Sequence, residues 1–302
     1  MKKRQAIFLP LACAYILLFV FASCVNRGRS VFFPDNGVVF DTLAVGKVFH
    51  LENDSLKPSC NLNLQFIFPS KSAGMNLADL QQIFVTSVLG LAFDSLAPPV
   101  AVDAYIANYI NNYKLDASIY RENISDLDEE ERVEAYLYLA DDDDLDKPKI
   151  FYSYYEMLSD SIVYNSRDVL SFQVRQSNRK DNSAAYDSYR NFVVNLKTGT
   201  LLTENDIFVP GYDIVLRKIF IASLLEQNDV KTVNDLDDLG YFGIEEITPN
   251  KNFLVTDKGI VYTFNKGEYS AYQLKSPVIF IPYDLITAIL KENTVVRKIA
   301  EI

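Results

Sequence analysis

The sequence predicts an α+β fold with antiparallel sheets and packed helices, and two observations carry this prediction. Segments rich in Tyr, Val, Ile and Phe, which favour strands, follow one another in runs over residues 149–201 and 253–282. Segments with helical spacing are grouped between these runs instead of alternating with single strands, which argues against a parallel βαβ sheet. With 49% hydrophobic residues in a chain of 302, there is enough apolar surface to form the core of such a fold.

The first half is predicted to contain one clear strand and two helices. Residues 60–68 alternate apolar and polar side chains, which indicates a half-buried strand. Residues 76–90 place leucine, phenylalanine and valine at spacings of three and four, and Gly90 ends this helix. Residues 97–116 begin with prolines suited to a helix N-terminus and then place their apolar side chains on one side.

The second half is predicted to consist mostly of strands. Strands over residues 149–158 and 161–176 form a hairpin whose turn is Ser159-Asp160-Ser161. The other predicted elements are a strand at 190–196 ending in the turn 197–199, a helix at 211–228, short strands at 253–256, 260–264 and 278–282, and a helix from Asp284.

Residues 1–23 have the organisation of an export signal. Basic residues at positions 2–4 precede an uncharged apolar run over residues 6–22. Two small residues then precede Cys24, an ending that resembles the bacterial lipobox, in which the thiol is lipidated and the chain is cleaved just before it. We therefore predict a lipoprotein signal peptide at 1–23, a lipid anchor on Cys24 and a tether over 24–45. The alternative is an uncleaved signal anchor, because the apolar run is close to the shortest that spans a bilayer.

The predicted mature chain is strongly acidic. The full sequence has 29 basic and 40 acidic residues, and loss of residues 1–23 removes three of the cations, which leaves a net charge of −14. Such a surface repels phosphate backbones, so nucleic acid is excluded as a partner, while basic proteins and cations are attracted. Cys60 would be the one thiol left unmodified, so no intramolecular disulfide is expected.

Few residues suggest catalysis or metal binding. His50 is the only histidine, and no pattern brings it near Cys60, so a nucleophilic dyad is not expected. One histidine and one thiol cannot supply a zinc site. Residues 235–246 match a calcium-binding loop in part but place Leu239 where a side-chain oxygen is needed, so we predict a helix end there, and we predict a solvated loop for the acidic run 141–146. We therefore predict no catalytic residue, no metal and no cofactor.

The second half resembles a known pair of exported bacterial domains. The segments YRNFVVNLKTGTLLTENDIF, NFLVTDKGIVYTFNKGEYSAY and VIFIPYDLI are similar to the paired domains of unknown function numbered 4163 and 3298. Such domains occur in exported lipoproteins, in the extracytoplasmic part of lysozyme-sensing anti-sigma factors and before the catalytic domain of some peptidoglycan deacetylases. The resemblance covers about residues 45–295 and implies two linked α+β subdomains, at 46–200 (family 4163) and 201–302 (family 3298).

Candidate ligand-binding residues follow from this resemblance. The Asn-x-x-Glu-x-x-x-Tyr stretch in the tail of the family corresponds to Asn265, Glu268 and Tyr272, and the resemblance makes Glu268 and Tyr272 the candidates. Two departures are present. The loop that typically reads Gly-Gly-Ala-His-Gly is Asp-Asn-Ser-Ala-Ala at residues 181–185, and Lys275 replaces a glycine. The family's use of that loop is therefore open in this chain.

These observations predict a lipid-anchored cell-envelope protein with a non-catalytic recognition domain, on the periplasmic face of the outer membrane. Its partner would be a peptidoglycan fragment or a basic envelope protein such as lysozyme, and the lipid on Cys24 would hold it to the membrane. Two other classes stay open. A glycan hydrolase would show two acids of raised pKa in one cleft, and a structural or assembly lipoprotein would show an exposed apolar patch.

Overall fold

The computed structural model describes residues 31–33, 36–55, 57–125, 153–180 and 183–301. These residues form one seven-stranded sheet and one three-stranded sheet with packed helices, which confirms the α+β class. The predicted signal peptide, Cys24 and the acidic run 141–146 lie outside the described residues. Among the helices of the described ranges, none is long and apolar enough to cross a membrane.

The large sheet follows the order of the sequence. Its strands are β1 (Val31–Phe33), β2 (Val38–His50), β3 (Ser59–Ser72), β4 (Tyr154–Ser166), β5 (Val169–Lys180), β6 (Tyr186–Asn195) and β7 (Thr200–Leu201). Neighbouring strands are antiparallel except β3 and β4, which are parallel. Residues 38–45, part of the predicted tether, lie in β2, because the alternating Val38 and Phe40 are buried in the core.

The turn predicted at Ser159-Asp160-Ser161 is wrong. Strand β4 continues through these residues, and its hairpin with β5 turns at Arg167 and Asp168 instead. Both turn residues have positive φ, 53° and 64°, which gives a two-residue turn the twist of the flanking strands. Asp160 is only 4% exposed and its Oδ1 accepts a hydrogen bond from the backbone N–H of Ile67 at 2.7 Å, so this carboxyl continues the pairing between β3 and β4.

Two helices cover one face of the large sheet. Helix α1 (Leu77–Val88) begins at Asn76, whose side chain accepts hydrogen bonds from two backbone N–H groups of the first turn. Helix α2 (Pro98–Ser125) follows it, and the predicted strand at 60–68 and both predicted helices are confirmed. Phe84 of α1 stacks on Phe172 of β5, with their ring centroids 4.2 Å apart, in the core between helices and sheet.

The C-terminal region forms a second layer on the opposite face. It contains α3 (Glu204–Ile207), α4 (Tyr212–Gln227), α5 (Val233–Asp238), β8 (Phe253–Val255), β9 (Gly259–Thr263), β10 (Val278–Pro282), α6 (Tyr283–Ile286) and α7 (Val295–Ala300). The three strands pair antiparallel in the order β10-β9-β8. The helix predicted from Asp284 is a single turn, and a separate helix follows it.

Strand β5 contributes to both cores because its side chains alternate between the two faces of the sheet. Val169 packs with the C-terminal layer, whereas Leu170 and Phe172 pack with the helices. Ser171 is fully buried, and its hydroxyl donates to the carbonyl oxygen of Val255 in β8 at 2.7 Å. The C-terminal layer is therefore joined directly to the face of the large sheet that is opposite the helices.

Candidate ligand-binding groove

A groove lies where the C-terminal layer meets the large sheet. It has a volume of about 330 Å³, within the range of small-molecule sites. Its lining residues come from β5, β6 and the ends and connection of β9 and β10: Gln173, Asp187, Tyr189, Thr263, Lys266, Lys275, Ser276 and Val278. We refer to this feature as the groove.

Asn252 and Asn191 hold the two walls of the groove together. The Asn252 side chain donates to the carbonyl oxygens of Tyr189 (3.0 Å) and Thr263 (2.8 Å). Its Oδ1 accepts from the backbone N–H of Asn191 at 2.7 Å. The Asn191 side chain donates in turn to the Asn252 carbonyl oxygen (3.2 Å) and to the Thr263 hydroxyl (3.0 Å). The bond from Asn191 to the Thr263 hydroxyl is buried and the other four are partly buried, and together they fix the relative position of β6 and β9.

The predicted residue Glu268 supports the turn that follows β9. Its Oε1 accepts from the backbone N–H of Asn265 (3.1 Å), and its Oε2 accepts from the side chain of Asn250 (2.8 Å). Asn265 pairs with the backbone of Tyr189 in both directions, at 2.7 and 3.0 Å. The turn that carries Lys266 is thus attached to β6. We call Asn191, Asn250, Asn252 and Asn265 the asparagine network.

The predicted residue Tyr272 is exposed beside this turn. It is 64% exposed, its ring centroid lies 5.9 Å from that of Tyr186, and Tyr186 is 37% exposed. A Cβ on Gly267, which has a φ of +85°, would lie 2.8 Å from the Tyr272 hydroxyl, so glycine is required for this approach. The Tyr186 hydroxyl donates to the Lys266 carbonyl oxygen at 3.4 Å. We call Tyr186 and Tyr272 the tyrosine pair; it presents aromatic surface next to the groove.

The side chains that line the groove include more positive charges than negative ones. The carboxylate of the groove, Asp187, accepts a hydrogen bond from Arg175 at 3.1 Å, and this one arginine balances part of its charge. Lys266 and Lys275 form no ion pair with any residue that the structure describes. The groove therefore has an excess of positive charge in a chain whose net charge is −11.

Two acids with raised pKa, the half-buried Glu156 and the buried Asp160, lie elsewhere, on the helix-facing side of β4. Glu156 accepts a hydrogen bond from the Tyr105 hydroxyl, and burial raises the pKa of its carboxyl. Burial raises the pKa of Asp160 well above its usual range. Neither carboxyl group lines the groove, so these two acids are not placed there as the acid pair of a glycan hydrolase.

The structure separates His50 from Cys60. The two residues lie on adjacent strands, but Cys60 pairs with Phe49, so its side chain and that of His50 point to opposite faces of the sheet. Cys60 is buried, which raises the pKa of its thiol to about 11, and a thiol of that pKa is a poor nucleophile at neutral pH. No group of three His, Cys, Asp or Glu residues in the described ranges is placed to hold a metal ion.

Two further segments that the sequence singles out are residues 235–246, which contain a helix end, and the altered loop 181–185, which is described from Ser183 onward. Helix α5 ends at Asp238 and is followed by Gly240 with a φ of +97°, the helix end predicted for this segment, and Asp235 caps the start of the helix with Thr232. In the altered loop, the Ser183 hydroxyl forms hydrogen bonds with the backbone of Lys180 at 2.5 and 3.3 Å. Asp181 and Asn182 lie outside the described residues.

Sequence reasoning missed most of the groove. Lys266, Lys275 and Ser276 carry no motif, and their neighbours in the groove are up to about a hundred residues away in the chain. The pair of amides at Asn250 and Asn252 was an available signal, because asparagines clustered at a strand start often bond to backbone groups. Nothing in the sequence assigns their partners on β6.

Comparison with known proteins finds a family match in the C-terminal region. Residues 205–284 match the family described as "Protein of unknown function (DUF3298)". The fold is similar to the crystal structure of a DUF3298 family member from Bacteroides fragilis, with a TM-score of 0.74 and 22% identity over 88% of this chain and 99% of that one. It is also similar to a DUF3298 family protein from Pseudomonas aeruginosa, with a TM-score of 0.55 and 13% identity over 86% of this chain and 97% of that one. None of the curated proteins compared matches the chain. Residues 205–284 of this chain therefore match the DUF3298 family model, and the fold is similar to that of nearly the whole Bacteroides protein.

Proposed function

We propose that this chain is a lipid-anchored protein of the cell envelope whose groove binds a glycan fragment of peptidoglycan without cleaving it. The observation that carries the proposal is the groove itself, a polar depression of about 330 Å³ beside two exposed tyrosines. Sugar rings present hydroxyl groups at their edges and an apolar face. Polar groove walls and the tyrosine pair are suited to these two parts.

Binding without cleavage is supported by the state of the nearby acids. Hydrolysis of a glycosidic bond needs one carboxyl group that donates a proton and a second that acts as a base or nucleophile. Asp187 is paired with Arg175, and Glu268 accepts hydrogen bonds from Asn265 and Asn250. Both acids therefore hold parts of the protein in place. The acids with raised pKa, Glu156 and Asp160, do not line the groove.

The anchor and the location belong to the same proposal. A lipid on Cys24 would hold the domain at the periplasmic face of the outer membrane, close to the wall. Substitution of Cys24→Ala tests this part, with release from the membrane and loss of the lipid as the expected result. A variant that stays in the membrane uncleaved would replace the lipid anchor with a signal anchor spanning the membrane.

A wall-acting basic protein such as lysozyme is a second candidate partner. The excess of acidic residues in the chain favours it, because a surface of this charge attracts cationic proteins at long range. This attraction is nonspecific and weakens as salt is added. Binding that persists at about 0.15 M salt and above is therefore needed to support this partner.

Calorimetry on the protein lacking residues 1–30 tests the proposed function. Soluble peptidoglycan fragments and lysozyme would be titrated separately, each at about 0.15 M salt and above. We expect saturable binding of the fragments that weakens about fivefold or more in Tyr272→Ala, because a lost apolar stacking contact costs ~1 kcal/mol. Phe242→Ala is the matched control, since Phe242 is a 45% exposed aromatic residue that does not line the groove.

Each result has a defined meaning for the proposal. Fragments that bind equally to Tyr272→Ala and to the control would contradict the groove as the site. Fragments that are shortened during incubation would replace recognition with hydrolysis. Saturable binding of lysozyme alone would favour the second candidate over the first.

A further inference from the structure

The positive charge of the groove is local and is not explained by the fold. Lys266 and Lys275 line the same depression on different parts of the β9–β10 connection, and neither pairs with a described carboxylate. An ion pair with a nearby carboxylate would lower the Coulomb energy of each lysine. Two lysines facing one groove without a described acidic partner leave room for an anion from outside the chain.

Polar atoms at the groove also lack partners. The hydroxyl of Ser276, which lines the groove, is buried and has no hydrogen-bond partner among the described residues. The same is true of Nε of Arg175, whose other nitrogen holds Asp187. A buried donor without a partner is unfavourable, so such an atom calls for a ligand or a bound water. Arg175 does not itself line the groove, so the Ser276 hydroxyl is the atom that points to a ligand accepting hydrogen bonds there.

We propose that the groove binds the carboxylate group of an acidic saccharide, with Lys266 and Lys275 on the carboxylate, the Ser276 hydroxyl donating to it, and the sugar ring against Tyr272. This inference rests on the proposed function and adds the chemical group that the groove selects. A carboxylate provides two acceptor oxygens and a single negative charge, which fits two ammonium groups and one hydroxyl donor.

The other charges of the groove favour a single negative charge in the ligand. Asp187 lines the same groove, and its carboxylate is balanced by one arginine only. A dianion such as phosphate would meet stronger repulsion from Asp187 than a carboxylate does. The strongly negative chain adds to this repulsion at longer range. An acidic sugar also offers the ring face that the exposed side of Tyr272 can contact.

Two matched pairs of probes test the inference on the protein lacking residues 1–30. Glucuronic acid is compared with glucose, and N-acetylmuramic acid with N-acetylglucosamine, by calorimetry or by changes in NMR spectra. Within each pair the acid has a carboxylate that the neutral sugar lacks. We expect the acid of each pair to bind about tenfold or more tightly than its neutral partner, the effect of one charge-assisted interaction.

Lysine variants test whether binding of the acids depends on the groove or on positive charge elsewhere on the surface. Lys266→Gln and Lys275→Gln are each expected to weaken binding of the acids about tenfold and to leave binding of the neutral sugars unchanged. Lys258→Gln is the matched control, because Lys258 is an exposed lysine in the β8–β9 turn of the same layer and does not line the groove. Circular dichroism of each variant checks that the fold is kept. The three substitutions change the net charge equally.

The outcomes distinguish this inference from the proposed function. If peptidoglycan fragments bind but acids and neutral sugars bind alike, the proposed function stands and carboxylate selection is overturned. If the fragments do not bind but glucuronic acid binds in a lysine-dependent manner, the groove selects acidic saccharides and the proposed function fails. If Lys258→Gln weakens binding of the acidic saccharides as much as the groove variants do, the binding depends only on the overall charge of the protein, and the inference is overturned. Inorganic phosphate that binds more tightly than either acid would overturn it as well.

Discussion

Removal of the Asn252 side chain should weaken the attachment of the C-terminal layer to the large sheet and destabilise the fold. In Asn252→Ala, the buried N–H of Asn191 loses the acceptor it bonds to at 2.7 Å. The carbonyl oxygens of Tyr189 and Thr263 lose one donor each but keep another, from Asn265 and Asn250 respectively. The substitution thus leaves one backbone donor without its partner and weakens two acceptors.

The expected loss of stability follows from these counts. A buried donor left unpaired costs ~1–3 kcal/mol, and each weakened carbonyl adds ~0.5 kcal/mol. We therefore expect the free energy of unfolding of Asn252→Ala to fall by about 2–4 kcal/mol. Asn63→Ala is the matched control, because the Asn63 side chain is exposed on β3. Its removal should change the free energy of unfolding by less than about 0.5 kcal/mol.

The stability of both variants is measured by urea unfolding, with circular dichroism and tyrosine fluorescence as the two signals. Tyrosine fluorescence is suitable because the chain has 19 tyrosines and no tryptophan. The midpoint and slope together give the change in the free energy of unfolding. A loss below about 1 kcal/mol in Asn252→Ala, or a loss equal to that of Asn63→Ala, would refute the role we assign to the asparagine network.

Three further predictions concern single residues. Burial raises the folded-state pKa of Asp160, so the folded protein loses stability relative to the unfolded chain as pH rises above 3.8. Asp160→Asn should remove this loss. The thermal midpoint of this variant should therefore exceed that of the parent at pH 7 and match it below pH 3.8. Gly267→Ala should lower the free energy of unfolding by about 1–2 kcal/mol because of its positive φ, and by less when combined with Tyr272→Ala; equal losses in both backgrounds would contradict the close approach of Tyr272. The Cys60 thiol should fail to react with a thiol reagent at pH 8 in the folded protein lacking residues 1–30 and react fully in urea; rapid reaction in the folded protein would contradict its burial.

Two strands belong to both hydrophobic cores, and this affects how the protein unfolds. Strands β5 and β6 contribute side chains to both hydrophobic cores, through Val169 and Val193 on one face and Leu170 and Phe172 on the other. Removal of the C-terminal layer would expose Val169 and Val193 to water. The cores are therefore expected to depend on one another, and the two fluorescence and circular dichroism transitions should coincide.

Local periodicity determined the elements that the sequence predicts correctly. The alternation in residues 60–68 and the helical spacing in residues 76–90 appear as β3 and α1, because each pattern reflects one buried face of a single element. The α+β class follows from the order of such elements, so it too was available from the sequence. The match of residues 205–284 to a family supports the resemblance seen in the same segment.

Only the tertiary structure decided the features that join distant parts of the chain. Ser159-Asp160-Ser161 has the composition of a turn, yet Asp160 lies within a strand because its carboxyl pairs with the backbone of Ile67, 93 residues away. Strands β3 and β4 are parallel, and helices α1 and α2 in the described part of the connecting segment cover the sheet. The groove collects side chains from Gln173 to Val278, and no local pattern relates their positions. Hydrogen bonds and charges act through space, so a single sequence shows the residue types available for a site, whereas the packing of the two layers determines which of them meet.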